Sequence, residues 1–207
     1  MLTLYITRHG ETEWNTQKKM QGWQDSPLTE NGIENALCLR DRMNPIPLDI
    51  IYASPSGRTR KTANLIRGNR SIPILLNDNL KEINMGTWEG KTLLAIQEEE
   101  PAAFYAFWNA PNDYVSNGGE SFYETVERVR EVLKQIEHKY PSGNVLIVTH
   151  SVVIKCLFTI FNNNGIENLW DPPFIEDTSL TIVEKSDEGY QLILEGCTVH
   201  KNLAMKE

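Results

Sequence analysis

A chain of 207 residues, 40% hydrophobic and 23% charged, is long enough to bury one substantial core, and its glycines and prolines are scattered rather than gathered into a linker. A single domain over residues 1–207 is expected, with no internal repeat and no low-complexity tract. The formal net charge of −8 argues against nucleic acid as the main partner but leaves room for a small anionic substrate held by a local group of arginines.

Met1 leads straight into a strand pattern without the segments of a signal peptide, and no apolar run is long enough to span a membrane, so a cytoplasmic protein without membrane contact is expected. Cys38, Cys156 and Cys197 lie far apart with no C-x-x-C pair, which fits reduced thiols. His9, His138, His150 and His200 show no metal-ligand spacing, so neither a metal nor another cofactor is expected.

The chain opens with Leu2-Thr3-Leu4-Tyr5-Ile6-Thr7, which has the pattern of a strand buried on both faces and ends in Arg8, His9 and Gly10. In doubly wound α/β proteins the carboxyl ends of parallel strands line the ligand crevice, so a cation and an imidazole there form a candidate anion site. Arg8 supplies a planar fork of donors, His9 titrates near neutrality, and Gly10 permits a sharp turn and a close backbone approach to a ligand. Residues 12–25, with Asn15, Gln21 and Gly22, read as a polar loop holding at most a helical turn. Thr29 caps a helix running to about Met43, and Pro45 and Pro47 end it. The strand Asp49 to Ala53 stops at Ser54-Pro55-Ser56, and a helix from Gly57 to Arg67 follows, closed by Gly68. Arg58 falls in the first turn of that helix, where the dipole disfavours a cation, so a negative ligand is the expected compensation.

Pro73 to Leu76 reads as a short strand, and residues 80–90 as a loop carrying Glu82 and Glu89. Helical patterns return over Thr92 to Glu100 and again after Pro101, through Phe104, Phe107 and Trp108; this aromatic stretch is either core or the wall of a pocket. Ser121 and Glu124 form a capping box for a helix that presents Phe122, Val126, Val129, Leu133 and Ile136 on one face. A second buried strand, Asn144 to Thr149, ends in His150, and Ser151 reads as the N-cap of an apolar helix to Phe161. Thr178 to Glu184 and Tyr190 to Glu195 form a hairpin that extends the sheet antiparallel at its edge. His138 and His200 read as surface histidines, and the residues beyond His200 as a short polar tail. The expected fold class is α/β, a three-layer sandwich with a mostly parallel central sheet, one antiparallel edge strand and flanking helices.

Three strands thus run into polar turns carrying Arg8 and His9, Ser54 through Arg58, and His150. As parallel neighbours they would gather two imidazoles and two guanidiniums in one crevice, an arrangement suited to a phosphoryl group. His9 is a candidate nucleophile kept neutral by the arginines, and His150 a candidate donor to phosphoryl oxygens. A loop carboxyl such as Glu82 or Glu89 would protonate the leaving oxygen.

Arg8-His9-Gly10-Glu11-Thr12 with Asn15, then Gln21-Gly22, Asp25, Pro27-Leu28-Thr29 and Gly32, resembles the signature of the histidine phosphatase superfamily in its phosphoglycerate-mutase-like branch. The resemblance continues in order through Ser54, Arg58, Thr62-Ala63, Glu82, Gly86, Trp88-Glu89-Gly90, Gly119-Glu120-Ser121 and Val148-Thr149-His150. It implies the phosphoglycerate-mutase-like fold and a phosphohistidine on His9. It also implies a phosphate pocket of Arg8, Arg58 and His150, with Asn15, Gln21 and the backbone at Gly22 adding donors, and Glu82 as proton donor in competition with Glu89 and Glu11. The chain departs from the family at Ser151, where glycine is usual; the side chain reads as a helix cap.

Within the branch, length and the Gln21-Gly22-Trp23 stretch are most similar to the broad-specificity phosphatases, with Trp23 and Trp108 as substrate-pocket candidates. Mutases of the family carry extra basic residues between the positions of Glu82 and Gly119, where this chain has Lys91 alone among several aromatics. The implied protein is a metal-independent phosphatase of small phosphomonoesters; the oligomeric state is open with a monomer favoured, and the aromatic stretch points to acceptance of apolar leaving groups. A cofactor-dependent phosphoglycerate mutase, a sugar-phosphate or alpha-ribazole phosphatase, and a catalytically silent phosphate-binding module are the alternatives.

Overall fold

In the computed structural model, which describes residues 1–202, the opening strand β1 (Leu2–Arg8) buries Leu2, Leu4 and Ile6 on one face and leaves Thr3 and Tyr5 half-buried on the other. Thr7 on that second face is fully buried and Tyr5 packs on a core cluster, so the second face is covered toward the carboxyl end of the strand. The polar tail read beyond His200 lies, from residue 203, outside the described residues.

A one-turn helix α1 (Glu13–Thr16) follows, held by a capping box between Thr12 and Asn15. Then come α2 (Glu30–Met43), capped by Thr29, β2 (Ile50–Ala53), α3 (Gly57–Arg67) and β3 (Ile74–Leu76). The helices α4 (Leu93–Glu99) and α5 (Pro101–Asn109) lie in the segment between β3 and the long helix α6 (Phe122–Lys139), which opens on the expected Ser121 and Glu124 box. The chain closes with β4 (Gly143–Thr149), α7 (Ser151–Phe161), β5 (Leu180–Ser186) and β6 (Gly189–Cys197). Among the described residues no helix is long and apolar enough to cross a membrane.

The sheet runs β3-β2-β4-β1-β5-β6. The first four strands are parallel, β5 is antiparallel to β1, and β6 returns antiparallel to β5. The hairpin sits at the edge as read, but the reversal of direction falls on β5, and the outermost strand again runs with the parallel set. Leu4, Tyr52 and Ile147 pack with Val129 and Leu133 of α6 and Leu157 of α7 on one face, while Ile51 and Leu146 pack with Leu39 of α2 and Ile66 of α3 on the other. A third cluster, around Trp88, Phe107 and Phe122, joins the α4–α5 segment to α6 and α7 and stands beyond the carboxyl ends of the parallel strands.

Two local readings change. The N-cap of α7 is His150, whose backbone is extended (φ −128°, ψ 168°), and Ser151 is the first helical residue. His200 is buried rather than on the surface, because the turn it occupies packs on α2, where Arg42 Nη1 lies 3.3 Å from its Nδ1; His138 is exposed as read. At Gly10 a Cβ would strike the Gly32 carbonyl, so this glycine permits a close approach to the first turn of α2.

That contact makes a signed prediction at Gly32, whose own Cβ would strike the backbone of Glu11. In an ordinary helix Gly→Ala stabilises by about 0.5–1 kcal/mol. Here Gly32→Ala is expected to destabilise by about 1–3 kcal/mol through overpacking, read from the urea midpoint; a stabilised variant would show that the two backbones are not in contact.

Candidate active site

The register of the sheet brings the predicted residues together. Arg8 of β1 stands opposite Thr149 of β4, and Ala53 of β2 opposite Val148, so the three strands end level with one another. The ladder carries on for one residue: His9 N donates to Thr149 O at 3.0 Å, and Ser54 N to Val148 O at 3.1 Å. The two imidazoles consequently meet edge to face, with centroids 5.2 Å apart.

His9 Nδ1 lies 2.8 Å from the carbonyl of Gly10. A carbonyl only accepts, so Nδ1 carries the proton and the lone pair sits on Nε2. Burial, followed by the charges of Arg58 and Arg8, holds the imidazole well below its ordinary pKa of 6.5. The ring is therefore neutral with a free nucleophilic nitrogen.

Arg58 is nearly inaccessible and makes four bonds to protein. Nη1 donates to Gln24 O at 2.7 Å and Asp25 Oδ1 at 2.8 Å, and Nη2 to Gly22 O at 2.9 Å and His150 Nδ1 at 3.1 Å. The negative partner expected for a cation in the first turn of α3 is thus supplied in part by Asp25. Because a guanidinium only donates, His150 accepts at Nδ1 and its Nε2–H points to Ser54 Oγ, 2.8 Å away. Both nitrogens of His150 are engaged by protein, and the ring lies behind Arg58. Burial and the neighbouring Arg58 also depress its pKa. Arg8 donates from Nη1 to Ile175 O at 3.0 Å. Among the described residues the Nε–H groups of both arginines are buried without a partner, two uncommitted cationic donors beside the His9 ring.

Glu82 faces the same cavity, is 7% exposed, and has its pKa raised by burial. Ile83 N donates to Oε1 at 3.0 Å, and Val152 N at 3.3 Å and Ser151 Oγ at 3.4 Å donate to Oε2. Ser151, read as a cap, instead turns toward this carboxyl. The competing carboxylates are occupied elsewhere: Glu89 accepts from the backbone N–H groups of Trp23, Gln24 and Met85, and Glu11 from Thr29 and Asn31.

The cavity has a volume of about 630 Å³, and Asn15, Gln21, Gly22 and Trp108 line it. The amide of Gln21 is committed to Thr12 and Ser26, and Asn15 Oδ1 to the cap of α1. Trp23 is not on the wall: it is 49% exposed, its indole N–H donates to the Glu82 carbonyl at 2.9 Å, and Lys81 covers its ring. Phe107 is core at the same time as wall, so the two readings of the aromatic stretch both hold there.

Sequence reasoning missed the braces and part of the wall. Arg128 of α6 donates to the carbonyls of Asn79, Lys81 and Glu82 and is itself held by Glu120, which fixes the backbone that carries the Glu82 carboxyl. Lys18 and Lys19 reach the cavity rim, whereas Lys91 pairs with Glu99. Lys155, Trp170, Pro172 and Phe174 also line the cavity. Arg128, Lys155 and residues 170–174 join the site across a long stretch of chain, with no local pattern to announce them.

Residues 4–198 match the model of the histidine phosphatase superfamily (branch 1). Probable phosphoglycerate mutase GpmB of Escherichia fergusonii is 35% identical over 157 residues, covering 76% of this chain and 73% of that protein. The structure of Bacillus stearothermophilus YhfR is 44% identical with a TM-score of 0.95, over 97% of this chain and 100% of that one. The phosphoserine phosphatase of Entamoeba histolytica, solved as a mutant with phosphoserine, is 26% identical with a TM-score of 0.85, over 97% and 99% of the two chains.

The buried histidines link stability to pH. Below about pH 6.5 the unfolded chain binds protons that folded His9 and His150 refuse, so stability falls as pH falls. His200, pushed down to about 4, adds to the same slope. Glu82 acts with the opposite sign above 4.5, because its raised pKa keeps the proton in the folded state, but it is one group against three. The urea midpoint is expected to drop between about pH 7.5 and pH 5.5, and less so in His9→Asn. A midpoint that rises on acidification would mean that the imidazoles are charged in the folded protein.

Proposed function

The chain belongs to branch 1 of the histidine phosphatase superfamily, and we propose that within it this protein is a phosphatase that hydrolyses small phosphomonoesters through a phosphohistidine on His9. The observation that carries the reading is His9 itself: a neutral ring with its lone pair on Nε2, held neutral beside the charges of Arg58 and Arg8 and in one cavity with a carboxyl whose pKa is raised.

His9 Nε2 attacks phosphorus, the ester P–O bond breaks, and the leaving oxygen takes the proton of Glu82. Glu82, now a carboxylate, removes a proton from water, whose oxygen attacks the phosphohistidine. The P–N bond breaks, inorganic phosphate leaves, and both side chains return to their starting states. The Nε–H groups of Arg8 and Arg58 bind the phosphoryl oxygens and stabilise the charge spread over them in both steps. His150 acts through Arg58, which it holds from behind, and is a positioning residue in this scheme. No metal or cofactor enters it.

The nature of the wall favours hydrolysis of esters with apolar leaving groups. Beyond the arginines the cavity is lined by Met20, Met85, Leu93, Phe107 and Trp108, a surface that suits an aryl or alkyl group better than a second anion. Lys18 and Lys19 on the rim support a second reading, phosphoglycerate mutase, the activity in the name of the Escherichia relative, since a bisphosphate needs cations at both ends.

Phosphorus NMR of an aryl phosphate and of 3-phosphoglycerate, incubated with the protein and a chelator, with and without a trace of bisphosphoglycerate, separates the two. Inorganic phosphate is expected from the aryl ester. Conversion to 2-phosphoglycerate without release would replace the phosphatase by the mutase. His9→Ala is expected to abolish turnover and acid-labile phosphate on the protein, and Glu82→Gln to lower kcat by about 10²–10⁴.

A further inference from the structure

Asp171 to Ile175 crosses the mouth of the cavity as a strap, with Pro172, Phe174 and Ile175 on the wall. Its carbonyls are gripped from inside at every second residue. Lys155 Nζ donates to Asp171 O and, at 2.7 Å, to Pro173 O, and Arg8 Nη1 donates to Ile175 O at 3.0 Å. Trp170, just before the strap, ties it to α5 by donating to the carbonyl of Phe107.

Lys155 is an unusual residue for this place. It lies on α7, one turn beyond Ser151, is 4% exposed, and has its ammonium 5.8 Å from the ring of Phe158. Its hydrogen-bond partners are neutral carbonyls rather than a carboxylate. Burying an ammonium on such terms is costly, and what the chain gains is a fixed course for the strap. Phe174 lies between two of the pinned carbonyls. It is 78% exposed, a large apolar ring held over the mouth of a cavity whose deeper wall is Trp108 and Trp170.

We propose that Phe174 is a specificity-determining residue that covers the apolar part of the leaving group, and that Lys155 is the positioning residue that sets it there by fixing the strap. This rests on the phosphatase reading of the site. The ring then forms the outer side of a slot whose inner side is Trp108 and Trp170, which stack with centroids 4.8 Å apart. A leaving group too short to reach the mouth misses Phe174.

The test compares kcat/KM for 1-naphthyl phosphate and for glycerol 2-phosphate in wild type, Phe174→Ala, Phe174→Leu, Lys155→Met and Lys155→Arg. Phe174→Ala is expected to lower the naphthyl-to-glycerol ratio about tenfold, through KM for the naphthyl ester, with partial recovery in Phe174→Leu. Lys155→Met is expected to lower the ratio in the same sense, Lys155→Arg less, and the double variant with Phe174→Ala no further than Phe174→Ala alone. An unchanged ratio in Phe174→Ala, a surface substitution that leaves the core intact, overturns the proposal whatever happens at Lys155. A Lys155→Met protein that loses thermal stability and slows equally on both esters makes that lysine merely structural and overturns the positioning claim. A wild type that hydrolyses neither ester overturns the phosphatase reading and this inference with it.

Discussion

The site depends on one buried charge. The Arg58 guanidinium is 1% exposed, and an ion moved out of water loses several kcal/mol unless its donors are met. Asp25, its carboxylate partner at 2.8 Å, is itself 39% exposed, so solvent screens much of that attraction. The carbonyls of Gln24 and Gly22 and the ring of His150 therefore carry a large share of the compensation, and each has to be aimed at the guanidinium. That requirement shapes the loop. Gly22 takes φ +55°, and a Cβ there would strike Glu89. Glu89 in turn pins the loop from the other side through the N–H groups of Trp23 and Gln24. The loop, α3 and the end of β4 are locked by the same cation that would bind the phosphoryl group.

The carboxylates near the site show how environment divides a single residue type. Glu11 is spent on the start of α2, and Glu89 accepts from three backbone N–H groups as a structural acceptor. Glu82 faces a mostly apolar cavity and is buried, and desolvation outweighs the arginines and the N–H groups that favour its ionisation. A proton donor needs that balance, since a carboxyl must hold its proton until the leaving oxygen takes it. The brace beneath it is equally specific: Arg128 holds the carbonyls around Glu82 while Glu120 accepts from Asn84 N, so the backbone is fixed on both sides of the carboxyl.

What was legible in the sequence is what neighbouring residues encode. The Ser121 box, the Thr29 cap, the apolar runs of β1 and β4 and the polar turns after them are all written in consecutive positions. Parallel pairing then brings His9, His150 and Arg58 together without further information, because the strands end level. The motif order added Glu82, which no periodicity would have selected over Glu89. Hidden were the contacts that depend on how distant segments pack. Trp23 is sequentially beside Gly22 yet turns away from the cavity to bond the Glu82 carbonyl. Phe174 and Lys155 belong to the site through a strap whose course is set by tertiary hydrogen bonds, and His200 is buried because a short terminal turn lands on α2. The cations that do line the cavity, Lys18 and Lys19, come from the loop after α1, outside the stretch between Glu82 and Gly119.

The aromatic cluster over the sheet has two duties that cannot be separated. Trp88, Phe107, Tyr114 and Phe122 interlock with ring centroids 5.0–5.6 Å apart and form the core that holds α4 and α5 in place. Ile83 and Met85, next along the chain from Glu82, belong to the same cluster, as does Val152, whose N–H meets the Glu82 carboxyl. The packing that stabilises this part of the fold is therefore also the medium that desolvates the acid and lines the leaving-group side of the cavity. Such a medium solvates the carboxylate poorly, which raises Glu82 against the pull of the arginines, and it also strengthens the arginines' hold on an anion. A chain with net charge −8 can concentrate anion affinity in this way, because the cations that matter sit in a low-dielectric cleft while most of the acidic groups face solvent and are screened within about 10 Å.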